Sequence, residues 1–454
     1  MAVSAIAVKN PPKLPGPKGL PVLGVSVRLI RDSLEFLRSL TREYGDLVRL
    51  PVITGTRILV NNPEYIQQVL VKQPHKFHKS KLSKEATERL LGQGLLISEG
   101  DFWRRQRRLA QPAFHKHRIN EYSSTMLECA ERQIGNWRDG ETRNVAQEMM
   151  ELTLEGAVRT LFGTTLPGEA QRVGRAMAFL MRYSLRRARH PLHFPANWPT
   201  PWNLRANRDY EFLDSLVYRI ISERKAHPDS NHRNDLLSLL MGAMDQDGSQ
   251  MTTKQLRDET MTLFIAGHET TAITLSWTWY LLAQHPTVEA RLEEELRSVL
   301  GGQPPDAADL ARLPYLHAVI SEVLRLYPPA YILARVAVAP FQIGEYDFPA
   351  GETLLLSQWV MHRDPRYYDD PDAFRPERWL DGLADRLPPG AYFPFGDGPR
   401  RCIGQGFALL ESALVIATIA QRFRFRLVPG RKAVAEPLVT LRPKRGIWMT
   451  LHSI

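Results

Sequence analysis

The chain has 454 residues, 43% of them hydrophobic, and carries 59 Lys and Arg against 49 Asp and Glu, a formal charge of +10. That is enough apolar material for a large core, and the basic balance admits a nucleic acid, an anionic membrane or an acidic protein as partner without choosing among them. Two cysteines far apart, Cys129 and Cys402, exclude a disulfide framework and a paired-cysteine zinc site and fit a reducing, cytoplasmic compartment. No apolar run reaches the ~20 residues of a membrane span, so the chain reads as soluble, without a signal peptide or transmembrane anchor.

In chain order, residues 11–24 (PPKLPGPKGLPVLG) are dense in Pro and Gly and predict a stiff, extended lead-in. Residues 47–60 (LVRLPVITGTRILV) place two β-branched and apolar runs around a Thr-Gly-Thr turn, which predicts a hairpin. Helices are expected near 101–112, 121–137, 145–162, 206–226, 253–284, 286–299, 314–326 and 405–422, where apolar residues recur at a spacing near 3.6. Thr252 and Pro286 mark two of their starts. Strand-like runs return at 335–358 and 423–450, broken by Pro349-Ala350-Gly351 and Pro429-Gly430. No repeat or long linker interrupts 30–450, so the expectation is one mainly α domain over 1–454 with a small β part: a lead-in at 1–24 and a folded catalytic part over 25–450.

FGDGPRRCIG, residues 395–404, sets Cys402 just before an amphipathic run, so its sulfur would sit at the donor-rich, positive end of a helix. Arg400 and Arg401 raise the local potential, and Gly396, Gly398 and Gly404 free the backbone to approach a flat object and to point N–H groups at the sulfur. All of this favours a thiolate, which serves equally as a nucleophile or as a metal ligand. Other stretches also stand out. In FIAGHETT, residues 264–271, Thr270 lies four residues after Ala266, so its hydroxyl can take that carbonyl, loosen the backbone bond and open a groove on the helix. Glu322 and Arg325 in ISEVLRLYPP are spaced i, i+3, and Arg378 in FRPERW can supply the further donor that a buried pair requires. His362-Arg363-Asp364 looks like a kinase catalytic loop, but no Gly-rich nucleotide loop precedes it and Asp369 stands where Asn belongs.

FGDGPRRCIG resembles the haem-binding loop of the cytochrome P-450 family, through Phe395, Gly398, Arg400, Cys402 and Gly404. FIAGHETT is similar to that family's oxygen-binding helix motif, Glu322, Arg325 and Arg378 to its structural charge cluster, and Trp103 with Arg107 to its Trp-x-x-x-Arg element. The resemblance implies a triangular, helix-rich single-domain fold with haem b bound between the oxygen-binding helix and the Cys-loop helix. By the same resemblance Cys402 is the iron ligand, whose thiolate favours O–O cleavage. It implies that Phe395, Gly404 and Ala266 flank the cofactor, while Trp103, Arg107, Arg335 and Arg400 are candidate propionate ligands. Thr270 and Glu269 are implied to handle protons, and Leu96, Phe264, Ala266, Ala330, Tyr331 and Val439 to line a pocket for a lipophilic substrate.

The implied activity is insertion of one atom of O2 into a fatty acid, terpenoid or steroid-like molecule by a monomeric enzyme of bacterial type, which needs no nucleic acid. No flavin or iron–sulfur domain follows residue 450, so electrons from NAD(P)H are expected through a separate ferredoxin or flavodoxin with its reductase, docking on a basic face that includes Arg104, Arg108 and Arg401. The stretch 179–203, with Arg182, Arg186, Arg187 and Arg189 among aromatics, is expected in a mobile lid. A peroxide-driven peroxygenase and a non-catalytic haem sensor or carrier are the alternatives, and neither explains the Glu269-Thr270 pair as well.

Overall fold

The computed structural model describes residues 14–80, 87–165, 168–189, 194–226, 235–245 and 248–454; the first part of the Pro-rich lead-in lies outside them. The chain forms two compact units, one made of Met1–Ser80, Ile332–Pro371 and Leu387–Arg401, the other of Lys81–Tyr331, Asp372–Arg386 and Cys402–Ile454.

The first unit is built on a five-stranded sheet in the order Leu47–Val52, Gly55–Val60, Thr353–Leu356, Leu333–Ala337, Phe77–Lys79. The predicted hairpin pairs Leu47 with Val60, and Arg335 lies opposite both Leu354 and Lys79. Successive side chains of a strand point to opposite faces, and the sequence exploits this. Leu47, Ile58 and Val60 join one core with Leu354 and Leu356, whereas Val48, Leu50 and Leu59 join another with Phe36, Leu37 and Leu40. Those last three belong to a helix, Ser33–Tyr44, that the sequence reading passed over although its apolar residues fall at i, i+1 and i+4.

The second unit is mainly helical. Its axis is Thr253–Gln284, which opens with a capping box: Gln255 N–H donates to Thr252 Oγ1 at 3.2 Å and Thr252 N–H to Gln255 Oε1 at 2.8 Å. Val145–Phe162 packs along it, and Gln405–Ala420 packs between it and Ser123–Ile134. The expected helices at 286–299 and 314–326 are Pro286–Leu300 and Pro314–Leu326, each with proline in its first turn, where no N–H is needed. A three-stranded sheet (Thr142–Asn144, Trp448–Ser453, Phe423–Leu427) and a two-stranded ribbon (Val434–Pro437, Leu441–Lys444) complete the unit. Residues 179–189 of the expected lid region are the second half of a 20-residue helix, Ala170–Arg189, whose solvent-facing arginines hide the apolar spacing of Val173, Ala176, Met177 and Leu180.

The charge cluster is built as the spacing suggested. Arg325 grips Glu322 with Nε and Nη2, both at 2.8 Å, while Arg378 Nε and the Arg375 N–H reach Glu322 Oε1 at 3.0 Å. Trp379 Nε1 donates to Oε2 at 2.9 Å, and neither Glu322 nor Arg325 is exposed to solvent. Burial alone would raise the carboxyl's pKa, yet the Arg325 hydrogen bonds and the surrounding arginines hold it below its ordinary value.

Candidate active site

Within the second unit, Cys402 is an exposed thiol outside any disulfide, two residues before Gly404, the N-cap of the Gln405–Ala420 helix. A helix start presents unpaired N–H groups and a positive dipole end, the setting in which a thiolate is stabilised. The helix itself forms because its residues are apolar almost all round, so it is buried from Leu410 to Ala420.

Trp103 and Arg107 lie on one face of the Gly100–Ala110 helix, both half-buried. Arg107 Nε donates to Gln111 Oε1 at 3.0 Å; burial lowers its pKa, and the neighbouring Cys402 sulfur opposes that shift. A cleft of about 390 Å³ lies here, lined by Trp103, Arg107, Gln111, Pro112 and His115 together with Arg104 and Arg108. Arg104 pairs with Asp101, and Arg108 with Asp245 at 2.6 Å, so both exposed arginines carry a counter-charge.

The long helix adds a gap. From Leu256 to Trp279 every residue is buried except Ala266, Gly267 and Thr270, which share one face. Thr270 Oγ1 donates to the Ala266 carbonyl at 2.8 Å, as its spacing suggested. The helix nevertheless runs unbroken, so the groove expected from a loosened backbone bond is instead an opening left by two small side chains. Thr271, Thr274, Ser276 and Thr278 also bond back to the carbonyl four residues earlier, which satisfies hydroxyls that burial would otherwise penalise.

Glu269 is 2% exposed and does not face open solvent. Arg442 Nε and Nη2 approach its Oε1 at 2.8 and 2.7 Å, and Thr440 Oγ1 donates to the same oxygen. The turn carrying these partners is pinned from three further sides: Trp277 Nε1 donates to Leu441 O at 3.0 Å, Leu441 N–H to Pro329 O at 3.0 Å, and Tyr331 Oη to Leu438 O at 3.0 Å. Two expected pocket segments, Ala330-Tyr331 and the one around Val439, are thereby tied together.

Leu96 and Val439 are exposed and Ala330 half-buried, so these side chains are available to a ligand. Phe264 differs. It is 2% exposed, packed edge-on against Phe162 with ring centres 5.6 Å apart and also against His268, so its ring belongs to the core between two helices. Tyr331 is likewise buried, with its hydroxyl engaged.

Arg335, Phe395 and Arg400 belong to the first unit, each partly exposed. Gly398, in the loop that carries Phe395 and Arg400, serves the protein's own backbone: its φ is +66° and a Cβ would lie 2.0 Å from the Leu70 carbonyl oxygen. Asp397 closes the turn, its Oδ1 accepting from the Gly398 N–H at 2.8 Å.

Sequence reasoning missed four site residues. Thr440 and Arg442 sit on a ribbon with no local motif. His268 is wholly buried, its Nδ1 donating to Phe264 O at 2.8 Å, and burial lowers its pKa. Glu411, the lone acid in the apolar run of the Cys-loop helix, is buried with neither oxygen in a hydrogen bond of ordinary geometry. Burial pushes its carboxyl up to about 8, opposed only by Thr271, so it holds a proton at neutral pH.

The donor set fits an iron porphyrin: a thiol at a helix start to bind the metal, guanidinium and indole N–H groups for two carboxylates, and a helix face of small residues to lie against the ring. The family model for cytochrome P-450 matches residues 14–449. The chain is 38% identical to cyclooctatin synthase of Streptomyces melanosporofaciens over 94% of its own length and 92% of that protein's. It is 37% identical to cyclooctat-9-en-7-ol 5-monooxygenase of the same organism, with 92% of each chain covered, and 34% identical to pentalenene oxygenase of Streptomyces avermitilis, with 96% of each covered. A match of this extent, on a chain that keeps the thiol, the small-residue helix face and the buried charge cluster in place, makes this protein a member of the cytochrome P-450 family, a haem-thiolate monooxygenase.

Proposed function

We propose that the enzyme hydroxylates a terpenoid hydrocarbon or alcohol, and that residues 1–454 serve a single catalytic centre holding haem b. Relatives named for pentalenene and for cyclooctat-9-en-7-ol, an unsaturated hydrocarbon and an unsaturated alcohol, support this substrate class. Cys402 would bind the iron, and Trp103, Arg107, Arg335 and Arg400 the propionates, with Phe395, Gly404 and Ala266 against the ring. Bound haem supplies the redox chemistry that activates O2.

The chain's own contribution centres on Thr270. Its hydroxyl proton is committed to the Ala266 carbonyl, so Oγ1 offers lone pairs to a protonated group in the open face. Glu269 would take part only after release from Arg442 and Thr440, which both hold its Oε1. Leu96, Ala330 and Val439 offer apolar surface to a substrate, and exclusion of water there strengthens every polar interaction inside.

Electrons would come from NAD(P)H through a ferredoxin or flavodoxin with its reductase, in a cytoplasmic, monomeric protein. Among the described residues no helix is long and apolar enough to cross a membrane.

The observation that carries this reading is the three-residue opening at Ala266, Gly267 and Thr270 in an otherwise buried helix. The test is a pair of variants. Cys402→Ser should lose the long-wavelength band of the reduced carbon monoxide complex. Thr270→Ala should keep that band while product per electron pair falls and hydrogen peroxide is released. Full product yield in Thr270→Ala, or a wild-type band in Cys402→Ser, would sink the proposal.

A further inference from the structure

The loop that leads into the Gly100–Ala110 helix turns one large apolar side chain outward. Leu90, Leu91, Leu95 and Ile97 are buried, while Leu96 is 48% exposed. Gly94 N–H donates to Leu91 O at 3.1 Å, and the Ile97 and Ser98 N–H groups both donate to Gly94 O at 3.0 Å. Turns of this kind fix the loop's own shape, but not its place on a neighbouring element.

Two adjacent acids of the Thr253–Gln284 helix supply that place. Gln93 N–H donates to Asp258 Oδ2 and Leu95 N–H to Glu259 Oε2, both at 2.9 Å. Glu259 is wholly buried, and its other oxygen accepts from Gln106 Nε2 at 3.2 Å. Buried Asp258 is balanced by Arg257 Nη1 at 3.1 Å and Lys254 Nζ at 3.0 Å, and Arg257 Nε also reaches Asp214 of the Pro201–Ala226 helix at 2.9 Å. The loop backbone lies directly on the helix: a Cβ at Gly92 would lie 2.0 Å from the Asp258 carboxylate, and one at Gly94 2.0 Å from Thr262 Oγ1.

We infer that Asp258 and Glu259 are positioning residues for substrate selectivity: they fix the register of residues 92–97 on the long helix and so set where Leu96 meets an apolar substrate. The inference deepens the proposed function and rests on Leu96 as a pocket residue. An acid buried away from water is unfavourable unless donors match its oxygens, so Glu259 favours the register that brings the Leu95 N–H to it. Apolar contacts alone would let the loop slide, whereas a charge-assisted bond to a backbone N–H is short and directional. Bonds to N–H groups two residues apart also fix the rotation of the loop about its own line. A slip of one residue would present Leu95 or Ile97 in place of Leu96.

The experiment uses the purified full chain with haem bound and two iron-binding probes, N-methylimidazole and N-decylimidazole, whose affinities are read from the shift of the haem absorption band. The decyl-to-methyl affinity ratio isolates contacts made by the apolar tail. Leu96→Ala and Glu259→Ala should each lower that ratio by about threefold or more, with the methyl probe bound as in the parent. Gly94→Ala keeps both acids but forces the loop off Thr262, and should lower the ratio likewise. Glu259→Gln retains an oxygen for the Leu95 N–H and meets a flipped Gln106 amide through its NH2, so it should keep most of the ratio. Hydrogen exchange of the Gln93 and Leu95 amides should quicken by roughly tenfold or more in Glu259→Ala and stay unchanged in Leu96→Ala. An unchanged carbon monoxide spectrum in each variant reports intact folding and iron ligation, and probe binding is read without turnover, so this inference and the monooxygenase reading fail separately. A ratio that falls in Leu96→Ala but not in Glu259→Ala or Gly94→Ala, exchange in Glu259→Ala that matches the parent, or a ratio indifferent to Leu96→Ala would each overturn it.

Discussion

Arg442 holds Glu269 by two nitrogens on one oxygen, at 2.8 and 2.7 Å, from a ribbon more than 170 residues further along the chain. The acid beside Thr270 is therefore a clamped, buried carboxylate. Its availability for proton exchange depends on a contact made outside the helix that carries it.

Removing the guanidinium should be costly. Arg442→Met leaves Glu269 buried without a charge partner, and breaking a pair of this kind costs about 3 kcal/mol. Thermal or urea denaturation should show that loss, with Arg442→Lys in between because one ammonium cannot reproduce a two-nitrogen grip. A midpoint unchanged in Arg442→Met would mean that the pair contributes nothing to stability.

The legibility of the chain follows the range of the interactions involved. The hairpin at 47–60, the capped helix at 253–284 and the Glu322–Arg325 pair are local in sequence, so period, cap and spacing reveal them. Arg442 and Glu411 matter through contacts closed by tertiary folding, and no short motif encodes those. Phe264 was misplaced because helical spacing fixes which side chains share a face but not which neighbour covers them; Phe162 does. The Ala170–Arg189 helix was missed because its polar face is unusually cationic and masks an ordinary apolar stripe.

Glu411 predicts a pH effect. Its folded carboxyl titrates near 8, far above the ~4.3 of an unfolded chain, so between these values the folded state binds the extra proton. Stability therefore falls as pH rises through this window, by at most ~1.4 kcal/mol per pH unit, and levels off above the folded pKa. Glu411→Gln should flatten the dependence of the denaturation midpoint on pH between 5 and 8 (roughly the titration window). A slope that survives the substitution would assign the titration to another group.

Arg325→Met should be among the most damaging single changes. It strips Glu322 of its two closest donors in a site with no solvent access, at a cost of about 3–5 kcal/mol. The depressed Glu322 pKa adds a second signature. Its contribution is present above the unfolded pKa and is lost as pH falls through the folded value, so acid should unfold the parent more steeply than the variant.

Arg104→Glu tests the proposed docking of an acidic electron donor more cleanly than Arg108→Glu. Arg104 pairs with exposed Asp101 on its own helix, whereas Arg108 balances largely buried Asp245, so reversal at 108 also destabilises the local structure. With an acidic donor protein, Arg104→Glu should slow reduction severalfold at low salt and lose its effect at high salt, without moving the denaturation midpoint. Reduction rates that match the parent at every ionic strength would place the donor elsewhere.

Gly398 offers a purely steric test. A methyl at this position would meet the Leu70 carbonyl oxygen at 2.0 Å, and φ of +66° is strained for any residue with a Cβ. Backbone there cannot relax without displacing the turn Gly398–Arg400 or the one-turn helix Gln68–Lys72. Gly398→Ala should therefore cost about 1–3 kcal/mol or more and weaken haem retention, read together as a lower midpoint and a reduced haem-to-protein ratio. Gly404→Ala is the control: its Cβ would find Phe114 at 3.8 Å, ordinary contact, so its midpoint should stay near the parent's. If Gly404→Ala lost as much stability as Gly398→Ala, the loop's glycines would not be distinguished by the close approach to Leu70.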